Sequence, residues 1–469
     1  MKLSPYVALL VVTGTAYAQP APSPPADPAS EEAAPLPPPP PTPPPAPTPP
    51  PAPTPPPTPT IDATTLNALI DARIAAAPKT AGFKDGFFIQ SPDGSSKLKI
   101  GGFAQFDGRF FFGDSKDPHI DQFGFRSIRP DLQGTLYDHY DFRLFPDFAG
   151  GKVVVQDAYL DVRYTELVKI RFGKFKVPFG LERLQAETNT TFAERGLPTQ
   201  VAPNRDLGIQ VFGEVAKGVL SYQVGMFNGV ADGQSGDGDV SDEKELAARV
   251  FVRPFAQGDA LLSGLGVGAA VTFGDKTGTL AQPDVAGYRT QGQTTFFQLK
   301  AGTTLMDTVL AKGQHLRATL QGHYYAGPVG VLAEYVRSSQ DVALDANRGT
   351  VTVGSWQVVG QWVISGDAAS YKSVAPRHPF DPSKHQWGAF DLAARIGELK
   401  VDGSAFNAGF ADPTKSARKA WSAGGGLDWF PNKNIRFVLD LERTWYTLGA
   451  KTGDRPAENS IIGRAQSVF

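Results

Sequence analysis

From Lys97 to Phe469, apolar and polar side chains alternate with a period of two, in segments of about ten residues separated by turn-forming stretches. In 153–164, Val154, Ala158, Leu160, Val162 and Tyr164 alternate with Val155, Asp157, Tyr159, Asp161 and Arg163. In 435–445, Ile435, Phe437, Leu439 and Leu441 alternate with Arg436, Val438, Asp440 and Glu442. Successive side chains of a strand point to opposite faces, so each segment offers one face to an apolar medium and one to water. No stretch beyond the N-terminal leader approaches the roughly 18 uninterrupted apolar residues that a spanning helix needs. Any crossing of a membrane must therefore be made with strands. A soluble sandwich would share some of these segments, so the decision rests on their number, persistence and spacing.

The first hundred residues read differently. Lys2, the apolar run 7–12 and the small residues of Ala16-Tyr17-Ala18 predict a cleaved export signal over 1–18. Residues 20–60 hold 23 of the 41 prolines, and 33–60 carry no charge. Such a linker, 19–60, cannot bury a core and is expected in extended polyproline II, on the order of 130 Å long at about 3.1 Å per residue. A short helix is predicted over 61–78, with Leu66, Leu69, Ile70 and Ile74 on one side. That helix reads either as a small coiled coil joining protomers or as an amphipathic element packed under the main domain.

Counting alternating segments over 90–469 gives sixteen strands: 97–112, 121–136, 140–149, 152–165, 168–176, 205–215, 218–227, 245–253, 264–273, 315–325, 328–338, 351–364, 386–398, 419–430, 434–447 and 461–469. Thr294–Lys300 is a seventeenth candidate, left in a loop because bacterial barrels favour even numbers. The odd connections, 177–204, 228–244, 274–314, 339–350, 399–418 and 448–460, are long, and most even ones are tight. Long loops on one side and short turns on the other are the asymmetry of a transmembrane barrel. The 365–385 connection breaks that rule, and the alternation offers no account of it. All six Trp fall in strands, several near an end, and the 31 Phe help supply a lipid-facing band. The expected fold is all-β: a transmembrane antiparallel β-barrel of sixteen strands behind a Pro-rich linker and a short helix.

Composition removes several functions. With no cysteine, disulfide staples, thiolate metal sites and thiol catalysis are excluded. Net charge is −2, which argues against a global basic surface for nucleic acid. The six His are scattered without helical metal-ligand spacing, and no cofactor is expected. Asp237-Gly238-Asp239-Val240-Ser241-Asp242-Glu243 resembles a calcium loop but has Asp242 where Gly is required and Ala248 where the last Glu belongs. No Gly-x-Ser-x-Gly elbow occurs and no catalytic triad can be nominated, so an enzyme is the weaker rival.

The segment between the fifth and sixth strands concentrates charge. Lys174, Lys176, Arg183, Arg195 and Arg205 accompany Glu182, Glu187 and Glu194. Folded into a lumen with low-dielectric walls, these cations would focus an anion-attracting field. Paired with the three glutamates, they would instead only hold the loop. Lys169 and Arg171 on the adjoining strand join the candidates for anion selectivity.

Residues 173–185 (Gly-Lys-Phe-Lys-Val-Pro-Phe-Gly-Leu-Glu-Arg-Leu-Gln) and 194–213, with 327–335, the Pro-Phe-Asp-Pro of 376–382, 388–395 and Asp428-Trp429-Phe430-Pro431-Asn432, resemble the phosphate-selective porin O and P family over about 90–469. The terminal strand 461–469, ending on Phe469, likewise resembles the recognition signal of bacterial outer-membrane barrels. The resemblance implies a usually trimeric anion channel in the cell outer membrane, passing small hydrophilic solutes such as phosphate or polyphosphate, with outer-membrane lipids around it. A third reading makes the barrel an anchor whose Pro-rich stalk contacts the cell-wall layer.

Overall fold

The computed structural model describes residues 62–76, 79–113, 119–239, 241–258 and 261–469. The leader 1–18 and the linker 19–60 lie outside the described residues. The predicted helix is present as α1 (Ala63–Ala76). Asp62 caps it, its carboxylate accepting the Thr65 backbone N–H at 2.8 Å and the Thr65 hydroxyl at 2.9 Å. Leu66, Leu69 and Ile70 are exposed along it.

Twenty strands follow: β1 (Ala81–Phe83), β2 (Phe87–Gln90), β3 (Lys97–Phe111), β4 (Gln122–Leu136), β5 (Tyr140–Asp147), β6 (Val154–Arg163), β7 (Lys169–Lys176), β8 (Arg205–Val215), β9 (Leu220–Phe227), β10 (Glu245–Val252), β11 (Leu265–Thr277), β12 (Gly287–Arg289), β13 (Thr295–Gln298), β14 (Leu310–Ala326), β15 (Val329–Leu344), β16 (Asn347–Val363), β17 (Ala389–Val401), β18 (Ala417–Asn432), β19 (Ile435–Leu448) and β20 (Glu458–Val468). Sixteen of them, β3–β11 and β14–β20, form one closed antiparallel barrel. Closure is made by β20 on β3, from Ser460↔Phe111 to Val468↔Phe103. Phe469 and Gly102 then exchange two backbone hydrogen bonds of 2.9 Å each. A closed wall leaves no unpaired edge, which is what lets strands lie in hydrocarbon. The hairpin β1–β2 pairs onto the first residues of β3, Phe87↔Ile100 to Gln90↔Lys97.

All sixteen expected wall strands are present, with ends moved by a few residues. Thr294–Lys300 contains β13, which pairs with β12 in a separate hairpin rather than with the wall. The expected connection 339–350 is not a loop. There β15 and β16 continue and meet in a tight turn at Asp345, whose φ is 52°. These added turns of strand read as polar because pairing above the bilayer needs no apolar outer face.

The register stacks the outward side chains into horizontal rows. Tyr335, Trp356, Glu398, Trp421 and Trp445 are lateral neighbours in one row. Phe390, Trp429 and Phe437 form a second. Between them lie Val331, Gly360, Ala394, Gly425 and Leu441. Trp421 and Trp429 stand eight residues apart on β18, roughly 27 Å along the strand, which suits an apolar band between two aromatic girdles.

Candidate functional site

The connection 177–204 leaves β7 and returns to β8, yet it makes polar contacts with the far wall. The backbone N–H of Leu181 donates to Glu334 on β15 at 2.8 Å, and that of Ala193 to Asp440 on β19 at 2.7 Å. Arg436 of β19 donates to the carbonyls of Thr190 (2.6 Å) and Thr191 (2.7 Å), and Arg395 of β17 to that of Glu194 (2.8 Å). Gln357 of β16 bridges Glu182 and Glu334 at 2.8 and 2.9 Å. The loop therefore crosses the lumen. A crossing segment must bury apolar side chains to offset its ordering entropy, and Phe179, Leu181, Phe192, Leu197 and Val201 are almost wholly buried.

Two loop glutamates pin the crossing electrostatically. Glu194 lies 3.2 Å from Arg109, 2.7 Å from Arg126 and 3.7 Å from Arg464. Burial opposes its ionisation, but Arg126, Arg464 and Arg109 outweigh it and bring the carboxyl down to about 2. Glu187 sits among Arg129 (2.5 Å), Arg195 (3.6 Å) and Arg205 (3.7 Å), and these hold its carboxyl well below the usual range despite burial.

Around this frame the seven candidate cations divide. Lys174 pairs with Asp237 of the next long connection. Arg183 donates to the Thr199 carbonyl within the loop, and burial, aided by Arg195 and Arg205, lowers its guanidinium to about 9. Arg195 donates to the carbonyls of Glu182 (3.1 Å) and Gln185 (2.8 Å). Lys169 pairs with Glu166 at the short-turn end. These four tie the loop or the wall together. The other three, Arg171, Lys176 and Arg205, line a cavity of about 430 Å³ on the short-turn side of the loop.

That cavity is where open space and charge coincide. Its lining carries six cations and four carboxylates. Sequence reasoning missed three of the cations, Lys99, Arg129 and Arg143. The in-phase alternates of β4 and β5, Ser127-Arg129-Asp131 and Asp141-Arg143-Phe145, could have revealed two of them. Arg143 holds Asp131 (2.8 Å) and Asp157 (3.0 Å), Arg205 holds Asp157 (2.9 Å), and Arg171 grips Asp161 with two bonds of 2.7 Å while stacked 3.8 Å from the Tyr159 ring centre. Among the described residues, Lys176 meets only the Gln185 carbonyl, at 2.8 Å.

The long even-side connection 364–388 also turns inward. Tyr371 donates its hydroxyl to the Leu181 carbonyl and accepts from Gln185 Nε2 on its own carbonyl, both at 2.7 Å. Its ring stacks on His323, 5.2 Å between centres. The crossing loop is thus braced from the short-turn side. From the opposite side the β12–β13 hairpin contributes Gln293 to Glu194 (3.2 Å) and Thr290 to Glu458 (2.7 Å).

The family model for phosphate-selective porin O and P matches residues 98–469. Porin O of Pseudomonas aeruginosa is 23% identical over 382 residues, which cover 75% of this chain and 84% of that protein. Among solved structures, the anion-selective porin from Comamonas acidovorans superposes with a TM-score of 0.52 at 11% identity, over 80% of this chain and all of that one. OmpT of Vibrio cholerae gives 0.51 at 14% identity, over 80% and 98% of the two chains. The channel DcaP of Acinetobacter baumannii gives 0.51 at 13%, over 81% and 99%. The structural likenesses establish the shared barrel; the family match, spanning the whole wall and its crossing loop, places this chain in the phosphate-selective porin O and P family, as a porin of the outer membrane and not an enzyme.

Proposed function

We propose that the pore passes small hydrophilic anions, phosphate and polyphosphate among them, in preference to cations. The observation that carries this is the lining of the cavity beneath the crossing loop, where Lys99, Arg129, Arg143, Arg171, Lys176 and Arg205 face four carboxylates. Each guanidinium has five donors, and a paired carboxylate does not exhaust them. An anion entering the cavity finds spare N–H groups in a low-dielectric surround, whereas a cation finds carboxylates already engaged. The name of the Comamonas relative, an anion-selective porin, agrees with this reading. The zero-current potential of single channels under a salt gradient tests it: an anion-favouring sign is expected, and a cation-favouring sign in the wild-type protein would overturn it. We also propose a homotrimer, as the family resemblance implies, with a native mass in detergent of three chains.

A further inference from the structure

The outer wall carries a second basic feature that has no part in the lumen. Directly on the long-loop side of the Tyr335–Trp356–Trp421–Trp445 girdle, the register Arg337↔Gly354↔Lys400↔Lys419 sets three cations in one row across β15 to β18. All point outward: the alternates Val336, Val353, Leu399 and Ala420 are the buried ones. Arg337 and Lys400 are exposed, and neither has an ion-pair partner among the described residues. Lys419 lies 3.1 Å from Glu398, one row below.

Gly354 stands between Arg337 and Lys400, where any side chain would approach the Tyr335 hydroxyl at 3.4 Å. Its bare backbone leaves a hollow of about 360 Å³ floored by Tyr335 and Trp356 and flanked by the two cations. Two carboxylates reach the same hollow. Glu398 is held by Lys419, and Asp402 accepts the Ser404 backbone N–H at 2.9 Å.

We propose that this row and hollow bind the phosphate groups of the glycolipid headgroup in the leaflet at the long-loop end. Long loops of outer-membrane barrels face outward, and an aromatic girdle marks the depth at which headgroups begin. Cations one row beyond such a girdle meet phosphates, while Tyr335 and Trp356 below them meet the apolar parts of the same molecule. Placement decides between occupants: the row lies between the apolar band and the connection that begins at Asp402, which favours a molecule amphipathic along the membrane normal.

The test uses the full chain purified in detergent and titrated with bis-phosphorylated lipid A, its dephosphorylated form or inorganic phosphate, with retained ligand counted by native mass spectrometry. Each basic residue near an anionic membrane surface contributes about fivefold, so Arg337→Gln, Lys400→Gln and Lys419→Gln together should weaken lipid A binding on the order of 100-fold. Conductance should stay at the wild-type value, since the row faces away from the lumen. The charge-keeping variant Arg337→Lys with Lys400→Arg should restore most of the binding and shows that folding is intact. The proposal is overturned if the triple variant retains lipid A as the wild type does, or if dephosphorylated lipid binds as tightly. It is equally overturned if inorganic phosphate alone distinguishes wild type from variant, or if the triple variant loses its oligomeric mass, which would make this face a contact between copies.

Discussion

The lumen has two halves built from the same residue types and used differently. On the wall from β14 to β20, Arg317, Arg395 and Arg436 are paired with Asp232, Glu442 and Asp428 and are 0%, 1% and 5% exposed. On β5 to β7, Arg143, Arg163 and Arg171 are paired with Asp131, Asp141 and Asp161 and are 25%, 33% and 22% exposed. The pairs look alike in a list of distances. What separates them is their cover: the crossing loop lies over Arg395 and Arg436 and the connection 228–244 over Arg317, while Arg143 and Arg171 stay open to the cavity and Arg163 to the short-turn end. A sealed pair acts on the loop, because removing one partner strands a buried charge at a cost of about 3–5 kcal/mol. An open pair contributes about 0–1 kcal/mol to stability and acts instead on solutes.

The largest effect expected from this division is at Arg395. Arg395→Met leaves Glu442 buried without its partner and frees the Glu194 carbonyl, so unfolding in detergent should be easier by about 3–5 kcal/mol. A heat-modifiability midpoint equal to that of the wild type would erase the contrast between the halves. Next comes pH. The Glu194 carboxyl, at about 2 when folded, lies below its ordinary value near 4.3, so its stabilisation is complete above the unfolded value and lost as pH falls through the folded one. The Glu194 share of stability, read as the difference between wild type and Glu194→Gln in detergent, should hold steady from pH 7 to about 4.3 and fall only between there and about 2. A change centred at pH 6 would show that other groups govern the loop.

Tyr371 offers a finer cut. Tyr371→Phe removes the bond to the Leu181 carbonyl and keeps the stack on His323, a loss of about 1 kcal/mol. Tyr371→Ala removes both, and should raise open-channel noise well above that of the Phe variant. Equal noise in all three proteins would mean that 364–388 does not brace the crossing loop. The smallest stability effect belongs to the open half. Arg143→Gln with Arg171→Gln should change unfolding by under about 1 kcal/mol apiece while lowering the anion-to-cation permeability ratio. Arg183→Gln, within the loop, should leave that ratio nearly unchanged, and the reversal potential of the two variants side by side decides whether exposure or mere cation count sets selectivity.

The wall was legible in the sequence because a strand between lipid and water must write its two environments into alternate residues. Strand continuations such as 339–344 were not, since beyond the bilayer the outward face is wet and residues such as Ser339 and Asp341 no longer mark it as apolar. The crossing loop was placed correctly, but the roles of its cations were not readable. Lys174 finds Asp237, 63 residues away, and Arg183 finds a backbone carbonyl that carries no residue signature. The inward turn of 364–388 was hidden for the same reason: Tyr371 meets Leu181 across 190 residues, and nothing local marks the contact. Arg129 and Arg143 were in phase and visible, and only their convergence required coordinates.

Closure of the wall has a consequence for how the chain must fold. Gln105 on β3 and Gln466 on β20 are hydrogen-bonded at 2.7 Å although 361 residues separate them. The seam of β3 and β20 to which it belongs closes the longest loops among the described residues, so seam formation should be the slow step, and until it occurs two unpaired edges persist. A nearly complete sheet would then be the most adhesive species on the route, since its open edges can pair with any neighbour. For such a chain, a short lifetime of that unzipped intermediate matters to assembly as much as the stability of the finished pore.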